Sequence, residues 1–116
     1  YQDTPLFLSE TCAYANLRGG CQGQSRCPQP ALRLISGFGD RLLALTGRCR
    51  TVVLNELPFC IAGRWRELRD AGAIRLRADF VWRAYPAAEV HSLWRQIRSG
   101  PAPTASHAGN LDRGLR

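Results

Sequence analysis

No methionine and no lysine occur anywhere in the chain. The missing methionine, with an opening in mid-pattern on Tyr1-Gln2-Asp3-Thr4-Pro5 ahead of the apolar Leu6-Phe7-Leu8, predicts an incomplete chain. No apolar run approaches the ~18 residues that a membrane-spanning helix requires. Nor does a basic segment followed by an apolar core mark a secretory signal, so the expectation is a cytoplasmic protein with no membrane contact. Neither HExxH nor GxSxG is present, which removes the zinc-protease and serine-hydrolase signatures. The two histidines, His91 and His107, have no plausible nucleophile beside them in sequence, and His91 next to Val90 reads as a surface residue of a helix.

With no lysine, the net charge of +7 is carried by 16 arginines spread from Arg18 to Arg116. A basic surface attracts nucleic acid or another polyanion when its charges cluster. Here they form no block, and the abundance of Ala and Gly points equally to biased composition. Hydrophobic residues make up 45% of the chain and charged residues 22%, the balance of a globular protein. At 116 residues it is one domain or a piece of one, long enough to build a core without staples.

Pro5 to Ser9 reads as a short buried strand, followed by a loop over residues 12–30 rich in Gly, Gln and Ser. Residues 31–46 alternate as a hairpin of Leu32-Leu34 and Leu42-Ala44 joined through Gly37-Phe38-Gly39-Asp40. Thr51 to Asn55 is β-branched and apolar, a buried strand. Ile61, Trp65 and Leu68 then recur at helical spacing up to Gly72. In "AIRLRADF" Ile74, Leu76, Ala78 and Phe80 share one face of a further strand. Pro86 opens a second helix, with Val90, Leu93, Trp94 and Ile97 as its apolar stripe and Gly100 as its end. Residues 51–99 therefore read as strand, helix, strand, helix, which implies adjacent parallel strands with Trp65 and Trp94 on helices outside them. Two parallel strands need cover on both faces, so further βα units are expected in a missing N-terminal part. "PAPTAS" over 101–106 is a linker to the last ten residues.

The chain has five cysteines: Cys12, Cys21, Cys27, Cys49 and Cys60. In a chain without secretory features this favours metal over disulfides. Cys12 lies just after one strand and Cys49 just before another, with Cys21 and Cys27 on the glycine-bearing loop between them. Four thiolates meet if that loop folds back. Soft thiolate sets select an iron–sulfur cluster or Zn²⁺. A structural zinc site usually offers a pair two to four residues apart, and no such pair is present, so the spacing favours a cluster over zinc. Arg18, Arg26, Arg48 and Arg50 lie nearby in sequence to favour ionised thiols. Cys60, between Phe59 and Ile61, reads as a small buried hydrophobe. A Cys21–Cys27 disulfide is the competing account in an oxidising environment.

Taken in order, "PLFLSETCAYA", "CP", "GRCRTVVLNELPF", "ELRDAGAIRLRADF" and "GNLDRGL" resemble the C-terminal part of the catalytic domain of the collagenase-like peptidase family, called U-thirty-two. The resemblance runs from about Pro5 to Leu115. It implies an α/β fold: the C-terminal portion of a TIM-barrel-like domain over 1–100, with the cysteine-rich loop 12–30, the hairpin 31–46 as an insertion and βαβα over 51–99, then a linker and docking tail over 101–116. It also implies a [4Fe-4S] cluster on Cys12, Cys27 and Cys49, with Cys21 as the fourth ligand, although the loop pair in that family is closer together. Several members are associated with oxygen-independent hydroxylation of RNA bases or of a ubiquinone-precursor ring, prephenate being an implied oxygen source.

Parallel barrels carry their chemistry at the carboxyl ends of strands. That singles out Glu10, Asn55 and Glu56, together with Arg77 and Asp79, which point the same way and either form an interior ion pair or hold an anion. Three readings follow: a hydroxylase-like iron–sulfur enzyme, acting alone or with a protein partner of the same family on RNA or a small aromatic; a peptidase, as the family name states; and a non-catalytic module stabilised by zinc or a cluster. The tail "HAGNLDRGLR" is expected to dock back through Leu111 and Leu115, with Arg113 paired to an acid or near the cluster loop.

Overall fold

The computed structural model describes residues 1–21 and 23–109. It forms two units, one of residues 4–56 and one of residues 1–3 with residues 57 onward. The first holds β1 (Pro5–Ser9), α1 (Ala13–Leu17), β2 (Ala31–Ile35), β3 (Arg41–Gly47) and β4 (Arg50–Asn55), and the second holds α2 (Trp65–Asp70) and α3 (Ala87–Ser99). Short 3-10 turns at Gln24–Arg26 and Ala62–Arg64 complete the described elements. The protein is therefore a small mixed one, a four-stranded antiparallel sheet with a few helices.

The strands lie in the order β1-β4-β3-β2, and every neighbouring pair is antiparallel. The expected hairpin is present, with Leu34 opposite Leu42 and Leu32 opposite Ala44. Its loop is tied by Ser36, whose Oγ accepts from the Phe38 and Asp40 amides and donates to the Asp40 carboxylate at 2.8 Å. On one face Ala44 lies opposite Val53 and Thr46 opposite Thr51, all four buried. These four share a face because side chains alternate along β3 and β4, while Leu54, from the opposite face, is buried as well. β1 departs from the expectation of a buried strand: Leu6, Phe7 and Leu8 are all exposed, because β1 is an edge and bulges between Pro5 and Phe7. Nor is 12–30 wholly loop, since Ala13–Leu17 turns as a short helix.

In the second unit α3 runs from Pro86 as its cap to Gly100, whose φ of +110° ends the helix in a conformation that glycine tolerates. The expected helix around Trp65 is shorter, six residues before Gly72. The expected strand over 73–80 is not formed, and the parallel pairing of 51–55 with it is overturned: Thr51 to Asn55 lies between β1 and β3, antiparallel to both. Of the apolar side of "AIRLRADF", only Ala78 and Phe80 pack inward, on Tyr1, Cys60 and Ala62, while Leu76 is exposed. A strand also needs a partner along its length. Here only residues 77–79 find one, the Arg77 carbonyl accepting from the Tyr1 nitrogen and the Asp79 amide donating to the Tyr1 carbonyl. Ile74 is left almost fully exposed.

Beneath this layer Asp3 is buried against Arg83 Nε at 2.7 Å and accepts from the Tyr85 hydroxyl at 2.8 Å. Burial, reinforced by the hydrogen bonds with Tyr1 and Asp3, raises the Tyr85 pKa well above the ordinary tyrosine value, so its hydroxyl stays a donor. The linker folds back: the His107 amide donates to Pro58, and the Cys60 amide to His107. The tail from Asn110 to Leu115, including Arg113, lies outside the described residues.

In the sheet the largest fully buried side chain is Leu54. Leu54→Ala is expected to cost about 2–5 kcal/mol of folding stability. Denaturant unfolding checks it, and a loss below about 1 kcal/mol would mean that the sheet is not organised around β4.

Candidate metal centre

β1 is one edge of the sheet and β2 the other, so residues 10–30 must cross from edge to edge, over three strand spacings or about 14 Å. β1 ends where Ser9 meets Thr51, and β2 begins where Ala31 meets Leu45, so the crossing passes over the end of the sheet that carries the β3–β4 turn. Cys12 is on the exit from β1, Cys27 on the approach to β2, Cys21 between them and Cys49 in the turn.

These four cysteines line one cavity of about 280 Å³, together with Gln29, Thr46, Gly47 and Arg48. All are free thiols, so the Cys21–Cys27 disulfide is not formed. Cys60 stands in the other unit, buried in its core as expected. The Cys49 thiol is pushed above its ordinary pKa, chiefly by the charge of neighbouring Cys21, with Cys12 and Cys27 acting in the same direction. Nearby like charge disfavours the ionised form in this way. Among the described residues, no group of three or more Cys, His, Asp or Glu side chains is already closed around a metal-sized point.

Two threonines, which sequence reasoning took only as strand residues, hold the arms. Thr51 Oγ1 donates to the Thr11 carbonyl and accepts from the Ala13 amide, each at 2.8 Å, which brackets Cys12 on both sides. Thr46 Oγ1 donates to the Pro30 carbonyl at 2.9 Å and fixes the approach from Cys27. They are a cross-strand pair and both are buried. A hydroxyl at an inward-facing position beside Ala44 and Val53 was the available signal.

The turn itself is strained. Gly47 pairs with Arg50, leaving Arg48 and Cys49 as a two-residue loop with φ of +50° and +62°. Two positive φ values match the twist of a hairpin, but the residues that adopt them readily are Asn and Gly. Arg and Cys there cost on the order of 1–3 kcal/mol each.

The remaining candidates do not gather at this cavity. Glu10 pairs with Arg50 at 2.8 Å, with both side chains largely exposed. Asn55 ends β4 at the other end of the sheet, about 17 Å along the strand from Arg50. Beside it, Glu56 is held by Arg33 and Arg41. Arg77 and Asp79 form an ion pair in the other unit. Of the described arginines near the cysteines, only Arg48 lines the cavity, while Arg18 lies over the Tyr14 ring and Arg50 is taken by Glu10. Comparison with protein-family models, curated proteins and solved structures finds no match to the chain.

Thr51→Val, which keeps shape and removes both hydrogen bonds, is expected to cost about 1–3 kcal/mol and to speed alkylation of Cys12 by iodoacetamide. Unchanged alkylation would mean that Thr51 does not hold the Cys12 arm. Cys49→Gly is expected to stabilise the metal-free protein by about 1 kcal/mol through relief of positive φ. Thermal unfolding at equal ionic strength measures the sign, and a destabilised variant would contradict the strain argument.

Proposed function

We propose that this chain is an iron–sulfur protein whose [4Fe-4S] cluster is held by Cys12, Cys21, Cys27 and Cys49. The observation that carries the reading is the meeting of four free cysteines, drawn from three separate passages of the chain, on one cavity at one end of the sheet. The donor set fits, since four soft thiolates select a cluster or zinc. A bound cluster supplies one-electron transfer. The chain's own part is to hold the ligands: Thr51 sets the Cys12 arm, Thr46 sets the Cys27 arm, the β3–β4 turn presents Cys49, and Arg48 places a positive charge on the cavity wall.

The resemblance to the U-thirty-two family supports a hydroxylase-like enzyme, acting without oxygen on RNA or a small aromatic ring, in which this sheet belongs to a larger TIM-barrel-like protein. The peptidase reading gains nothing from the unit of residues 4–56, which contains no histidine to activate a cysteine. A purely structural metal remains the second reading, favoured by the thin interior of that unit, whose buried apolar residues are Ala44, Val53 and Leu54. Small cores of this kind commonly depend on a metal staple.

Anaerobic reconstitution of the full chain with iron and sulfide tests the cluster against zinc. The expected product is brown, absorbs broadly near about 400 nm and carries iron and sulfide in equal amounts. Serine at position 12, 21, 27 or 49 should lower cluster content, whereas Cys60→Ser should leave it intact. A colourless protein that retains zinc instead would establish the structural reading.

A further inference from the structure

The second unit holds a larger cavity, of about 480 Å³, independent of the cysteine site and of the chemistry proposed for it. Its volume lies in the range of sites that take small organic ligands. Two indoles line it, Trp65 from α2 and Trp94 from α3, along with Ile74 and Leu76. Trp65 on α2 and Trp94 with Ile97 on α3 thus open on one hollow, and Trp94 stays 45% exposed at a site where a core tryptophan would be covered.

Beside Gln2 and Tyr1, the charged side chains of the lining are all arginines. Arg75 and Arg98 both line the cavity, and no described carboxylate pairs with either. Arg77, the third lining arginine, is already occupied by Asp79. A hollow walled by indole and aliphatic side chains and edged by two guanidinium groups that no described carboxylate matches is complementary to a molecule with a flat apolar body and a single anionic head. Stacking against the rings and a charge-assisted fork to the head would act together.

We propose that this cavity binds an amphipathic organic anion, an aromatic body bearing one carboxylate or sulfonate, with the body against Trp65 and Trp94 and the head on Arg75 and Arg98.

Two probes that share a skeleton separate the parts of the proposal. 8-Anilinonaphthalene-1-sulfonate carries the anionic head, and N-phenyl-1-naphthylamine is the same body without it. Titration of the full chain, read by quenching of tryptophan emission, is expected to show one sulfonate per chain, bound at least about tenfold more tightly than the neutral probe, the worth of a charge-assisted hydrogen bond. The double variant Arg75→Gln, Arg98→Gln should erase that difference and leave the neutral probe unaffected, whereas Arg75→Lys, Arg98→Lys should keep most of it. Trp94→Ala should weaken both probes. Circular dichroism confirms that each variant is folded, and the lysine pair carries the test if the glutamine pair is not. Equal affinity for the two probes, a preference that survives loss of both arginines, uptake of many dye molecules per chain, or no binding at all would each overturn the proposal.

Discussion

The buried pairing of Thr46 with Thr51 is the contact on which the cysteine end of the protein depends. It lies one pair in from the β3–β4 turn, so it fixes the position of Cys49 through the backbone. Each hydroxyl also reaches sideways to a different passage of chain, Thr51 to both sides of Cys12 and Thr46 to Pro30. A valine pair would pack as well on this face but would leave the Thr11 carbonyl and the Ala13 amide to find other partners and the Pro30 carbonyl with only the longer bond from the Thr46 amide, at 3.4 Å. Since partly buried backbone groups are nearly always satisfied, the arms would have to move. Register in the sheet and convergence of the cysteines are thus one constraint.

The turn beyond that pair opposes it. Arg48 and Cys49 both sit at positive φ, where an Asn-Gly pair would relax the backbone. Strain of this sort persists only where surrounding structure over-determines the conformation. The threonine pair provides that surrounding structure, and ligation of Cys49 would add to it, because metal binding free energy becomes folding free energy when the site does not exist in the unfolded chain. A unit whose apolar interior is so small has more to gain from this coupling than a large one.

Much of the local structure was legible in the sequence. The hairpin of residues 31–46 follows from alternation around a glycine-rich turn, and α3 from its stripe between Pro86 and Gly100, both signals that tertiary context rarely reverses. The segment "AIRLRADF" misled because alternation is silent on whether a neighbour supplies hydrogen bonds or cover; Ala78 and Phe80 turn inward without a strand forming, and Ile74 and Leu76 stay exposed. The exposure of Leu6, Phe7 and Leu8 was illegible for the same reason, since an apolar run does not say whether it lies at the centre or the edge of a sheet. The cysteine grouping was legible from placement at strand ends. The threonines were not, because their part depends on which strands pair.

Antiparallel pairing also explains why the polar candidates scatter while the cysteines gather. In a parallel barrel every strand delivers its carboxyl end to the same rim, so residues just past Ser9 and just past Leu54 would be neighbours. Here β1 and β4 run in opposite directions, which puts Glu10 beside Arg50 at one end and Asn55 with Glu56 at the other. The two glutamates then find guanidinium partners locally: Glu10 with Arg50, and Glu56 with Arg33 and Arg41. The cysteines escape this dispersal because they lie outside the strands, in an exit, a crossing and a turn that the topology forces over one end. The sulfur side chains of residues 12, 21, 27 and 49 are thus the ones that this topology brings to one cavity.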